Sequence, residues 1–233
     1  MYELKKTAKK TNKMAGKIII KKKCPHKDFE TKLELIRAFV EGLNIKVYNG
    51  DRDGREVSKN KEYSVVNPIL DNFKWVHPKT ENRDYGDLYV EVVGGYLFPV
   101  NIKLLSKLND SFNNIAGAVR IASDLLYDKK LFGYKDIAKA LRDKVPFTTT
   151  PKQYGMLVVN KTDSSVEACT LFNIHKDNIK ANPSNGLQFK LKNKKSLKRT
   201  QRLGQIFIAE NIKELINKQA EAYLILTGQK EDA

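Results

Sequence analysis

The chain has 233 residues, with 43 Lys and Arg against 27 Asp and Glu, for a formal net charge of +16. A surface this basic attracts polyanions, so nucleic acid is the expected partner, and the length accommodates a substantial apolar core. No apolar run approaches the roughly twenty residues of a membrane span and no signal-peptide hydrophobic region opens the chain, so a cytoplasmic protein that does not use a membrane is expected.

Residues 1–23 form a basic arm in which Lys5, Lys9, Lys13, Lys17 and Lys21 recur at every fourth position. Like charges at that spacing destabilise an isolated helix, so the arm is expected to order only on phosphate; a DNA-grasping arm and a solvated tail share this pattern. Cys24 and Cys169 each stand alone, and His26, His77 and His175 are scattered, so neither a disulfide framework nor a thiolate zinc site is indicated.

Asp28 to Leu43 has the pattern of an amphipathic helix, with Phe29, Leu33, Ile36, Val40 and Leu43 on one stripe and Glu30 and Glu34 on an adjacent face. Residues 50–64 are polar and punctuated by Gly50 and Gly54, which predicts a loop; its Asp51, Arg52, Asp53 and Arg55 suit either DNA contact or salt bridges on a surface turn. Residues 65–76 are short and mixed, with Asn67-Pro68 and His77-Pro78 as breaks.

Residues 85–104 carry the clearest signal. Leu88, Val90 and Val92, then Phe98, Val100, Ile102 and Leu104, are apolar at alternate positions, which predicts two strands sharing one core face. Directly opposed residues of an antiparallel pair lie on the same face, so even must pair with even. That requires an odd-numbered turn around Gly94-Gly95, since a two-residue turn would set Leu88 opposite Asn101. The same register brings Asp87 near Asn101 and Lys103 on the other face, with Glu91 further along. A carboxylate, an amide carbonyl and a scissile phosphate can together hold Mg²⁺, and a lysine can orient a water and offset developing charge. On residue types alone, Asp87 as a strand-entry residue and Lys103 as a solvated edge lysine account for the same pattern.

Beyond a polar stretch at 106–114, residues 115–126 and 134–144 have helical patterns, 145–151 reads as a linker, and 154–159 and 166–172 read as strands joined by Asn160-Lys161-Thr162-Asp163. The run from Lys190 to Arg202 mixes Lys194, Lys195 and Lys198 with Arg199, Arg202, amides and hydroxyls. Lysines position a protein on phosphates and arginines also read base edges, so DNA contact is expected around 190–203, although an electrostatic clamp has much the same composition. A closing amphipathic helix is predicted over 204–226, with Ile208, Ile212, Leu215, Ile216 and Ala220 inward. No internal repeat is visible.

The run Pro99-Val100-Asn101-Ile102-Lys103 followed by Ser106, with Asp87 ahead of it, resembles the catalytic strand of type II restriction endonucleases of the PD-(D/E)XK nuclease superfamily. It is most similar to the small enzymes that cut four-base-pair sites and carry an amide at the second acidic position. Gly86 stands where the family usually has Pro, and Asn101 where it usually has Glu or Asp.

The resemblance implies an α/β fold of α+β character, with a PD-(D/E)XK core of mixed central sheet flanked by helices and a single nuclease domain over residues 24–233. By the same resemblance Asp87 and Asn101 would ligate Mg²⁺ and Lys103 would be the catalytic lysine. Phe29-Glu30 looks like the family's aromatic-Glu pair, so Glu30, Glu34 and Glu91 are candidates for a further metal contact. The implied activity is Mg²⁺-dependent, sequence-specific cleavage of double-stranded DNA, with a homodimer on a palindromic site as a possible assembly. A noncatalytic basic nucleic-acid-binding protein and a structure-specific repair or junction nuclease are the alternatives.

Overall fold

The computed structural model describes residues 24–43, 54–79, 86–105, 113–115, 117–129, 133–160, 163–190 and 197–227. The helices are α1 (Pro25–Gly42), α2 (Gly54–Asn72), α3 (Ala118–Tyr127), α4 (Tyr134–Arg142) and α5 (Gln201–Leu226). The strands are β1 (Val76–Pro78), β2 (Leu88–Val92), β3 (Tyr96–Leu105), β4 (Asn113–Asn114), β5 (Gly155–Asn160), β6 (Val166–Thr170), β7 (Ile179–Asn182) and β8 (Gly186–Phe189). Among the described residues no helix is long and apolar enough to cross a membrane.

The protein is of mixed α and β architecture. Five strands form one mixed sheet in the order β1-β2-β3-β5-β6, and three short strands form a second in the order β4-β8-β7. β1, β2 and β3 are an antiparallel meander, β5 runs parallel to β3, and β6 returns antiparallel to β5. A parallel neighbour cannot be reached by a tight turn, and α3 and α4 lie in the connection from β3 to β5.

The even-numbered residues of β2 and β3 do pair with one another: Leu88 faces Val100, Val90 faces Phe98 and Val92 faces Tyr96. Residues 93–95 are therefore the turn, and it demands glycine, since Gly94 and Gly95 have φ of 90° and 75°. The core face of this hairpin packs under α1 and α2, with Phe29, Leu33, Ile36, Val40, Val65 and Ile69 buried against Leu88, Val90, Val100 and Leu157. Met156 and Val158 face the other way, into a second core built from α3, α5 and the small sheet. β3 is thus covered on both faces, and residues 98–102 are buried without alternation.

Three expectations change. Residues 54–64 belong to α2, not to a loop, and Pro68 sits inside that helix. An interior proline costs about 3 kcal/mol, but full burial of an aliphatic side chain returns about 1.5–3 kcal/mol, and Val65, Val66 and Ile69 are all buried there. α5 begins at Gln201 because Thr200 caps it, its hydroxyl accepting from the Leu203 amide at 3.4 Å, and Ala220 on that helix is exposed. β7 and β8, only four residues each, give too little alternation to be read from sequence.

Two close approaches fix α1 and α5. A Cβ at Gly155 would lie 2.9 Å from Phe29 Cζ and 3.0 Å from Val100 Cγ2, while one at Gly204 would lie 2.6 Å from Phe172 Cβ. Both glycines let a helix or a buried ring meet the backbone directly.

Candidate functional site

Asp87 lies where β2 parts from β3. Its amide donates to the Val100 carbonyl at 2.9 Å, and its carboxylate Oδ2 accepts from the Ile102 amide at 2.6 Å. The side chain thus stands in for a ladder carbonyl where the paired strand ends, and Gly86 before it runs so close to Pro99 that a Cβ there would lie 2.9 Å from Pro99 Cβ. The ladder ends at the Leu88–Val100 pair, and one residue beyond it the Asp87 carboxylate lies against the peptide that joins Asn101 to Ile102; Asn101 is 7% exposed, and Lys103 follows it two residues along the strand.

Burial pushes the Asp87 carboxyl above its ordinary range, while the Ile102 amide and the charges of Lys103 and Lys79 pull it back only in part. Lys79 was not singled out from sequence because His77-Pro78 reads as a break. In the fold Pro78 faces Leu88, so Lys79 continues β1 beside Asp87. Tyr154, buried just before β5, is the other unforeseen neighbour: its phenol is pushed up by burial and then by the Asp87 charge. Its only sequence signal was an aromatic residue at a strand start.

The folded state holds the Asp87 proton more tightly than the unfolded chain does. Its contribution to stability is therefore full below the ordinary carboxylate range and is lost as pH rises through the folded value. Asp87→Asn should abolish that dependence, so the urea midpoint of the variant should gain on the wild type as pH rises through the mildly acidic range. A midpoint difference that does not change with pH would contradict this.

The other singled-out acids have partners of their own. Glu91 sits four residues further along β2, about 13 Å away at strand spacing, where its carboxylate meets His77 Nε2 at 2.9 Å in an exposed pair. Glu30 accepts from Asn173 Nδ2 at 2.6 Å, and exposed Glu34 pairs with Arg37 Nε at 2.7 Å. Among the described residues, no three His, Cys, Asp or Glu side chains gather where they could hold a metal. Asp87 and Asn101 are an oxygen pair with one formal charge.

Of the basic run, Lys194 and Lys195 lie outside the described residues. Lys198 is exposed, and Arg202 lies in the first turn of α5, 4.7 Å over the Phe147 ring. Arg199 is turned inward: its Nη1 donates to the carbonyls of Phe172 and Ile174 at 2.7 and 2.8 Å, and the guanidinium lies 4.1 Å over the Phe207 ring. In this arrangement Arg199 ties the entry of α5 to the chain after β6.

In comparisons with family models and with curated proteins, no family model and no curated protein matches this chain.

Proposed function

We propose that this protein is a Mg²⁺-dependent endonuclease that cleaves double-stranded DNA at specific sites, with a core of the PD-(D/E)XK kind. The observation that carries the reading is the Asp87 carboxylate at the end of the β2–β3 ladder, bonded to the Ile102 amide next to Asn101, with the charge of Lys103 felt at it. The order of elements agrees: a helix, an antiparallel meander bearing the site, helices, and a strand parallel to the one that carries Asn101 and Lys103.

The donor set suits a hard cation. As metal ligands Asp87 and Asn101 can offer oxygen atoms, a carboxylate and an amide carbonyl, and a carboxylate disfavoured by burial is stabilised by a cation beside it. Bound there, Mg²⁺ would polarise the scissile phosphate and acidify a water. Asp87 and Asn101 would hold it, Lys103 would orient the water and offset charge developing on the phosphate, and Lys79 would add positive charge at the rim. The net charge of +16 favours a polyanionic substrate.

Incubating the protein with a large plasmid-like DNA and Mg²⁺ tests this: discrete bands are expected, random nicking would indicate a structure-specific nuclease, and no cleavage would leave a binding protein. Asn101→Asp should keep activity, since it restores a charged oxygen ligand, whereas Asn101→Leu should lose it. Equal activities would remove Asn101 from the site.

A noncatalytic nucleic-acid-binding protein is the second reading. It is favoured by the bond from the Ile102 amide, which gives the Asp87 carboxylate a purely structural task.

A further inference from the structure

A second polar site lies away from Asp87, where the small sheet meets the start of α3. A cavity of about 800 Å³ opens there, lined by Asn114, Arg120, Tyr134, Ser184, Asn185 and Gln219 among others; of the described lining residues none is acidic, and Arg120 is the one charged group.

The orientation of its inner wall is set by backbone geometry. The amides of Ser184 and Asn185, which can only donate, both point at Asn182 Oδ1, at 3.0 and 3.1 Å. Asn182 must therefore offer its Nδ2 to Gln188 Oε1, at 3.1 Å. Gln188, 7% exposed in the central strand of the small sheet, must in turn donate through Nε2 to Asn114 Oδ1, at 2.6 Å. Each amide in this relay polarises the next, and the last, exposed Asn114, is left presenting its NH₂. A wall that ends in amide protons, on a cavity whose one charged described lining residue is an arginine with five donors, suits a ligand that only accepts. The start of α4 is not counted into the site, because Asp136 already stands beside Gly133.

We propose that this cavity grips a phosphate group of nucleic acid, through the Asn114 amide and the Arg120 guanidinium. A phosphate oxygen only accepts, whereas most base edges present donors as well. The site rests on the DNA-directed reading only for the carrier of that phosphate.

Asn114→Asp is the informative variant: it keeps an acceptor for Gln188 Nε2 but replaces the outward NH₂ by a charged oxygen. Arg120→Gln removes the cation from an exposed position. Binding of a random-sequence duplex without divalent metal should weaken about tenfold in each, and in Arg120→Gln the slope of log affinity against log salt should become shallower by about 0.9. In parallel, inorganic phosphate titrated into the protein should shift the Asn114 side-chain amide resonances.

If duplex binding is unchanged but the phosphate response disappears in Arg120→Gln, the site stands and nucleic acid is overturned as its carrier. If neither variant alters either ligand, the proposal falls. If the wild type never cuts DNA with Mg²⁺ while both variants bind duplex more weakly, the nuclease reading fails and this site remains.

Discussion

Asp87→Asn should lose DNA cleavage completely and keep its fold, whereas Asp87→Ala should lose cleavage and also about 1–3 kcal/mol of stability. The difference follows from the double duty of one carboxylate. Its Oδ2 accepts from the Ile102 amide at 2.6 Å, and an asparagine can keep that bond through its own carbonyl, while alanine leaves the amide of a strand covered on both faces without an acceptor. Only the acid carries the charge that a metal ion and a phosphate require, so both variants should be inactive while still binding DNA in Ca²⁺ within a few fold. Cleavage assays with Mg²⁺ and urea unfolding measure the two halves independently. Residual cleavage beyond a small fraction of wild type, in either variant, would free Asp87 of any catalytic part. Equal stability of the two variants would mean that the bond to Ile102 contributes nothing.

Gly204→Ala should destabilise the protein even though the same exchange inside an ordinary helix stabilises it by about 1 kcal/mol. A Cβ at this position would meet the ring and the Cβ of Phe172, the latter at 2.6 Å, and overpacking of this kind costs about 1–3 kcal/mol. Phe172 cannot easily yield: it is buried, and its carbonyl is held by Arg199 Nη1 at 2.7 Å. In a Phe172→Ala background, where the ring carbons are gone and only the Cβ contact is left, Gly204→Ala should cost less than it does in the wild type. A Gly204→Ala variant that melts at or above the wild-type temperature would show that helix and ring separate more readily than their packing implies.

The hairpin was legible because alternation and parity are strong local constraints: the apolar residues from Leu88 to Ile102 admit only even-with-even pairing across an odd-numbered turn, and the structure has the three-residue case. α1 was legible for the same reason, its stripe of Phe29, Leu33, Ile36 and Val40 being buried as its spacing requires, although Leu43, expected to extend the stripe, lies past the helix end and is exposed. What escaped depends on partners distant in sequence. Pro68 reads as a break until Val65 and Ile69 have a sheet to pack on, and Lys79 has no role until β1 is laid beside β2. Glu30 and Arg199 illustrate the same limit from the other side. Residue type marks both as free charges for a ligand, yet Asn173 and two backbone carbonyls engage them within the protein.

The turn at residues 93–95 sets a counting rule on what this chain can tolerate. One residue added to or removed from β2 itself, with the three-residue turn and β3 kept as they are, would move the part of β2 ahead of the change to the opposite face, sending Asp87 toward the apolar helices and Leu88 toward Asn101. Two residues added to β2 would leave both faces as they are, and residues added to the turn itself would only lengthen the loop. Length changes within the paired part of β2 in related sequences should therefore come in even steps, and an odd step there should occur only together with a bulge that restores the count or with the loss of the polar cluster altogether.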